Sequence, residues 1–92
     1  MLDITPGPQG ELIFTGRLDA SQAERAKAAL AGLQGTGTLD FKALDYISSA
    51  GLGILLAAQK TPGGKGLRLV NLSAPVRDVF HFSGFDQIFE IL

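Results

Sequence analysis

The chain has no cysteine and no tryptophan, and it has only one histidine. Disulfides and thiolate chemistry are therefore excluded, and so is a multi-histidine metal site. The net charge of −1 gives no sign of a nucleic-acid or anionic-membrane partner. No apolar run is long enough to cross a bilayer, and residues 1–10 lack the basic start and apolar core of a signal peptide. We therefore expect a cytoplasmic protein without a metal or membrane insertion.

The chain holds 92 residues, of which 46% are hydrophobic, so we expect residues 1–92 to form one small domain with one core. After an opening hairpin, strand-like and helix-like segments alternate, which is typical of an α/β sheet with helices packed on it. We expect a mixed sheet of four or five strands and about three helices. The predicted strands are 1–5, 11–15, 38–41, 67–72 and 88–92, with 44–47 as a further extended segment.

The first predicted helix begins at Ser21, which has capping-box spacing to Glu24. Its inner face is predicted from the apolar positions Ala23, Ala26, Leu30 and Leu33, and glycines 32, 35 and 37 end it. The second helix, Ala50–Lys60, is apolar almost all round, which indicates that it is largely buried. The third begins after Ser73, carries Val76, Val79 and Phe80 on its inner face, and ends at Ser83–Gly84.

Two serines separate a strand-like run from the second helix. Ser48 and Ser49 stand at the helix N-terminus, where free N–H groups and the helix dipole favour negative charge. One interpretation is that a serine only caps the helix, which stabilises it by about 1 kcal/mol. The other is that a phosphate sits there, bound or covalently attached. The spacing leaves both open.

Two glycines follow the serines within the predicted helix. A glycine costs about 1 kcal/mol relative to alanine inside a helix, so Gly51 and Gly53 call for a physical reason. We expect Gly53 to pack inward against the sheet and Gly51 to be left bare for a partner. Leu52 between them is predicted to belong to the core.

Three segments of the chain resemble the STAS domain family. The residues Phe14 to Asp19 resemble its "L-x-G-x-L-D" opening, and Leu39 to Gly53 resemble its central strand, "D-S-S/A-G-L" turn and helix. The residues Leu69 to Phe85 resemble its closing segment. The three matches lie in the family's order and cover nearly the whole chain, and within the family the chain most resembles bacterial anti-sigma factor antagonists.

The resemblance implies a non-enzymatic protein-interaction switch without a cofactor. In that family the free antagonist binds an anti-sigma factor kinase, which ends the binding by phosphorylating a serine two positions before the signature glycine, and a phosphatase restores it. Gly51 aligns with that glycine, so the acceptor falls on Ser49, with Ser48 as the alternate. The implied partner-binding surface consists of Asp19, Ser48, Ser49, Ala50, Gly51 and Leu52.

Two departures and two alternatives accompany this interpretation. Ser48 stands where the family often has Asp, and the chain stops at Leu92, where many relatives continue into a further helix, so we expect a minimal domain. One alternative is a STAS scaffold that binds without phosphorylation, in a signalling assembly or as a lipid-transport accessory. The other is a nucleotide-binding or hydrolysing module that uses the same helix N-terminus, which neither a phosphate-binding lysine nor a metal-ligand cluster accompanies. The glycine-rich segment 63–66 lacks Walker spacing and is predicted to be a turn.

Overall fold

A computed structural model describes residues 2–32, 37–59 and 67–92, which form a five-stranded sheet with three α-helices. The neighbouring strands follow chain order; the first pair is antiparallel and the other three pairs are parallel. The strands are β1 (Leu2–Pro6), β2 (Leu12–Leu18), β3 (Thr38–Ile47), β4 (Arg68–Val70) and β5 (Glu90–Ile91). The helices are α1 (Ala23–Ala31), α2 (Ser49–Gln59) and α3 (Ala74–Ser83). The predicted α/β architecture is confirmed.

The strand order places all three helices on one face of the sheet. Each parallel connection steps to the next strand in the same direction, and right-handed crossovers then put every helix on the same side. The core lies between the sheet and this helical layer. Its centre is the edge-to-face pair Phe14 and Phe41, whose ring centroids are 5.2 Å apart. The opposite face of the sheet carries exposed side chains, among them Ala43, Tyr46 and Arg68.

The strand β3 joins two segments that the sequence predicts separately, because two irregularities interrupt its alternating pattern. Segments 38–41 and 44–47 form one continuous strand. The pairing with β2 shifts by one residue between Ile13 and Thr15 and again between Gly16 and Arg17. In β3, Phe41, Leu44 and Ile47 are all buried, a spacing of three that a regular strand does not allow. The added residues are β-bulges, which return each apolar side chain to the core face.

The strand β2 also runs further than predicted, to Leu18 instead of Thr15. Gly16 does not end the strand: its φ of 103° fits a local irregularity within it. The predicted capping box at Ser21 and Glu24 is wrong by two residues. The capping box lies instead on a short 3-10 helix, Ala20–Gln22, that precedes α1: the Asp19 carboxylate accepts from the Ser21 N–H at 3.0 Å, and Gln22 Oε1 accepts from the Asp19 N–H at 3.2 Å. The helix α1 has Gln22 at its N-cap position, without a side-chain cap bond.

The remaining boundaries agree with the expectations to within a few residues. The predicted strand 67–72 shortens to Arg68–Val70 and the last strand to Glu90–Ile91. Gly84 adopts a left-handed conformation, φ 79°, and ends α3 where a glycine stop was expected. The predictions for Leu33, Gly35, Lys60 and the turn 63–66 lie outside the described residues. Within those described, no helix combines the length and hydropathy needed to cross a membrane.

Ser73 has an unexpected role at the start of α3. It occupies the N-cap position but makes no side-chain cap bond. Its hydroxyl donates instead to the carbonyl oxygen of Leu44 at 3.0 Å, in the bulged part of β3. This bond gives a partner to a carbonyl whose strand pairing is irregular, and it ties α3 to the strand that leads to the two serines.

We predict that Ser73→Ala destabilises the protein by about 1 kcal/mol, the net value of a typical hydrogen bond, because the Leu44 carbonyl loses its donor. Urea unfolding followed by circular dichroism measures the change. Ser73→Thr retains the hydroxyl and should lose less. Equal stability of Ser73→Ala and the wild type would show that the bond does not support the bulge.

Candidate functional site

The ends of two parallel strands place the predicted site residues at one edge of the sheet. Leu18 ends β2 and Ile47 ends β3, and the two residues are direct neighbours in the register. The Ser48 N–H donates to the Leu18 carbonyl at 3.0 Å, which extends the pairing one step further. Asp19 and Ser49 then leave the two strands side by side. The topology thus brings together the first and second predicted segments of the site.

Ser48 is the N-cap of α2. Its hydroxyl oxygen accepts from the Gly51 N–H at 3.1 Å, and its carbonyl oxygen accepts from the Leu52 N–H at 3.0 Å. The side-chain bond satisfies one of the free donors of the first helical turn. Capping, one of the two interpretations left open by the sequence, therefore applies to Ser48.

Ser49 occupies a different position from Ser48, at the first residue of α2. The residue is exposed, and no hydrogen bond engages its hydroxyl among the described residues. The positive end of the helix dipole lies beside it. A hydroxyl at this place is accessible to a modifying enzyme and does not hold the helix together.

The prediction for the two glycines is wrong in both directions. Gly51 is buried, and a Cβ added to it would lie 2.8 Å from Ile47 Cγ1 and 2.9 Å from the Leu18 carbonyl oxygen. Gly53 is exposed, and an added Cβ would meet no atom within 4 Å. Gly51 therefore lets the first turn of α2 rest on the ends of β2 and β3, and Gly53 is the bare one.

The exposed surface beside Ser49 differs accordingly from the predicted one. Leu52, which the resemblance places in the partner-binding surface, is 4% exposed and belongs to the core, as its apolar side chain predicts. Ala50 and Gly53 are exposed together with Ser49, on consecutive turns of one helical face. Small residues leave this face of α2 without large protruding side chains, and its N-cap is joined to the residue before Asp19 by the bond from the Ser48 N–H to the Leu18 carbonyl.

Asp19 is held in its ionised form by local hydrogen bonds. The Ser21 hydroxyl donates to Asp19 Oδ1 at 2.6 Å and the Ser21 N–H donates to the same oxygen at 3.0 Å. These bonds, and to a smaller extent the charge of Arg17, lower the pKa of the carboxyl group below its ordinary value. Asp19 is thus a helix cap and a fixed negative charge beside the serines.

Arg17 and Tyr46 were not predicted as site residues. They are paired in the register one residue before the strand ends, and both point away from the helical layer because their neighbours Leu18 and Ile47 are buried. The Arg17 guanidinium lies 4.3 Å from the centre of the Tyr46 ring. The two residues are 29 positions apart, and the bulges set their pairing, so no spacing in the sequence reveals it.

His81 lies at the opposite edge of the sheet from the serines. Helices that follow parallel strands run back across the sheet, so the last turn of α3 is far from the first turn of α2. His81 Nδ1 is 3.0 Å from Asp86 Oδ2, and both side chains reach solvent. No Ser-His-Asp arrangement forms with Ser49. Among the described residues, no cluster of three or more acidic or histidine side chains could hold a metal.

The chain is similar in sequence to known proteins over nearly its whole length. The family model described as "Mlab, STAS domain" matches residues 5–92. A curated Bordetella bronchiseptica protein, provisionally named anti-sigma factor antagonist BtrV, is 42% identical over 82 residues, which span 83% of this chain and 71% of the relative.

Solved structures share the fold at lower sequence identity. An anti-sigma factor antagonist from Mycobacterium paratuberculosis superposes with a TM-score of 0.74 at 21% identity, covering 99% of this chain and 83% of the other. The anti-sigma factor antagonist SpoIIAA in its unphosphorylated form gives 0.63 at 20% identity, covering 100% and 87%. Phosphorylated SpoIIAA of Bacillus gives 0.62 at 22% identity, covering 100% and 91%.

We predict opposite effects from the same substitution at the two glycines. Gly51→Ala should lower the free energy of unfolding by about 1–3 kcal/mol, because the added methyl group is forced against Leu18 and Ile47. Gly53→Ala should raise it by up to about 1 kcal/mol, because alanine favours the helix and has open space there. Urea unfolding measures both; destabilisation by Gly53→Ala and not by Gly51→Ala would contradict the assignment.

The lowered pKa of Asp19 predicts a pH dependence of stability. A carboxyl group whose folded-state pKa lies below its unfolded value stabilises the protein above the unfolded value, here ordinarily 3.8, and loses this effect as the pH falls through the folded value. Thermal unfolding between about pH 6 and pH 2 should show this loss. Asp19→Asn keeps a capping side chain without a charge, so that variant should lose less stability as the pH is lowered. Identical profiles would refute the contribution.

Proposed function

Because the chain belongs to the STAS family and has an anti-sigma factor antagonist as a 42% identical relative, we propose that it is itself such an antagonist. It acts without catalysis, as a binding partner for an anti-sigma factor kinase. Binding occurs while Ser49 is unphosphorylated and ends when the kinase phosphorylates that serine. A phosphatase returns the protein to its binding form. The exposed residues that surround Ser49, together with Asp19, form the docking surface.

The observation that supports this proposal is the division of roles between the two serines. Ser48 makes the cap bond to the Gly51 N–H, while Ser49 is exposed at the first turn of the helix. Phosphate on Ser49 therefore leaves the cap of α2 in place. Its oxygens can accept from the free N–H groups of that turn, so the fold need not change.

The effect of phosphorylation falls on the partner. A phosphate adds about −1.5 to −2 charges to a surface that already carries the fixed negative charge of Asp19. A partner that fits the small side chains of Ala50 and Gly53 then meets a hydrated dianion. A loss of about 3 kcal/mol in binding free energy is a factor of roughly a hundred in affinity.

The serine at position 48, where the resemblance leads one to expect Asp, is compatible with this mechanism. Serine and aspartate are both among the preferred N-cap residues, and the Ser48 oxygen makes the bond that an aspartate would make. Serine in place of aspartate at position 48 removes a negative charge beside Ser49 but keeps the N-cap bond, so Ser49 stays at the first residue of α2.

A STAS scaffold that binds without phosphorylation is the second candidate. The observations in its favour are the description of the matching family model, "Mlab, STAS domain", and the missing acid at position 48. Such a scaffold would use the same exposed face of α2. The two candidates differ in whether Ser49 must change for the partner to leave.

We predict that the kinase and ATP add one phosphate, on Ser49. Mass spectrometry of the digested protein locates it. Ser49→Ala should bind the anti-sigma factor kinase with the affinity of the unphosphorylated wild type. Ser49→Asp should bind it more weakly because of the added negative charge. Isothermal titration with the purified anti-sigma factor kinase measures both affinities.

Ser48→Ala is the matched control, because it removes the cap and keeps the acceptor. It should lower stability by about 1 kcal/mol and still be phosphorylated. Phosphate on Ser48 alone would overturn the assignment to Ser49. Equal affinity of Ser49→Ala, Ser49→Asp and phosphorylated wild type would favour the unregulated scaffold.

A further inference from the structure

We infer that the stacked pair of Arg17 and Tyr46 is an anchor of the docking surface and that it takes an acidic side chain of the anti-sigma factor; this inference rests on the proposed function. The pair lies on the open face of the sheet, around the corner from Ser49. Tyrosine and arginine are, with tryptophan, the residue types that most often carry binding energy in protein interfaces.

The pair stands on a rigid base. Leu18 and Ile47, the residues that follow Arg17 and Tyr46, are 0% and 1% exposed and are packed in the core. The Ser48 N–H bond to the Leu18 carbonyl joins this base to the N-cap of α2. The positions of Arg17 and Tyr46 are therefore fixed relative to the first turn of α2, so a partner that docks on Ser49 can meet the pair without any rearrangement of the fold.

The chemistry of the pair leaves one kind of interaction open. The Tyr46 ring covers one face of the Arg17 guanidinium at 4.3 Å and is itself 39% exposed. No carboxylate of the described residues lies within ion-pair distance of Arg17, whereas Arg25 pairs with Asp3 and Arg68 with Glu90. The edge of a stacked guanidinium still presents its N–H donors, which match the two oxygens of a carboxylate.

Charge complementarity and continuity identify the occupant. Arg17 supplies a positive charge next to the negative charge of Asp19, so the surface beside Ser49 is a pair of opposite charges and not a uniform patch. The complementary partner offers a basic group to Asp19 and an acidic group to Arg17. The remaining large exposed apolar side chains of the described residues, Phe82, Ile88 and Leu92, come from α3 and the segments after it and are not part of this surface.

The test measures the affinity of unphosphorylated variants for the purified anti-sigma factor kinase by isothermal titration. Arg17→Gln and Tyr46→Ala should each raise Kd about tenfold or more. Arg17→Lys keeps the charge without the planar guanidinium, so its Kd should lie between those of the wild type and Arg17→Gln. Tyr46→Phe keeps the ring and should bind like the wild type. Arg68→Gln, an exposed arginine of β4, and Phe82→Ala, an exposed aromatic residue of α3, are the matched controls and should stay within about twofold.

Two further measurements separate this role from a structural one. The double variant Arg17→Gln/Tyr46→Ala should bind the kinase only slightly more weakly than either single variant, because the pair acts as a unit. Raising salt from about 0.1 M to about 1 M, which shortens the screening length from about 10 Å to about 3 Å, should weaken the wild type more than Arg17→Gln. Urea unfolding confirms that each variant is folded.

The possible outcomes are distinct. If the wild type binds and the folded Arg17 and Tyr46 variants bind equally well, the anchor is refuted and the proposed function stands. If Arg68→Gln and Phe82→Ala weaken binding as much as the two site variants, the anchor is also refuted. If the wild type does not bind the kinase, the proposed function fails and the inference falls with it.

Discussion

The close approach of α2 to the sheet at Gly51 is the constraint on which the rest of the site depends. There is no room for a side chain there, since an added Cβ would lie within 3 Å of both Leu18 and Ile47. The approach brings the helix N-terminus onto the ends of two parallel strands. It thereby fixes which residues of the first turn are buried and which face solvent, and the exposure of Ser49 follows from it.

Much of the fold could be predicted from the sequence, because hydrophobic patterning and glycine stops are local signals. The hairpin, the three helices and the end of α3 at Gly84 were all found in this way. The continuity of β3 was missed because bulges depend on pairing with β2, and the sequence of one strand does not contain its partner's register. The burial of Gly51 and the Arg17–Tyr46 contact were missed for the same reason: both depend on which residues the fold brings together.

Different residues of the site stabilise the helix α2 and form its exposed surface. Ser48, through its hydroxyl, and Leu52, through its burial, serve the fold, and Ser49, through its exposure, is available for recognition. The two adjacent serines are therefore constrained differently: Ser48 by the stability of α2, and Ser49 by what the surface binds. A charge on the second serine alters the surface at little cost to the folding free energy, which is a favourable arrangement for a small domain with a modest total stability.

The position of Tyr46, beside Arg17 on the open face of the sheet, also gives the protein a local optical probe. The chain has one tyrosine and no tryptophan, so its absorption near 280 nm, its tyrosine emission and the tyrosine part of its near-ultraviolet circular dichroism come from that single ring. The ring is a natural chromophore on the open face of the sheet, beside the end of β3. The unlabelled protein therefore carries its own optical probe at that surface, and the probe is silent about the rest of the molecule.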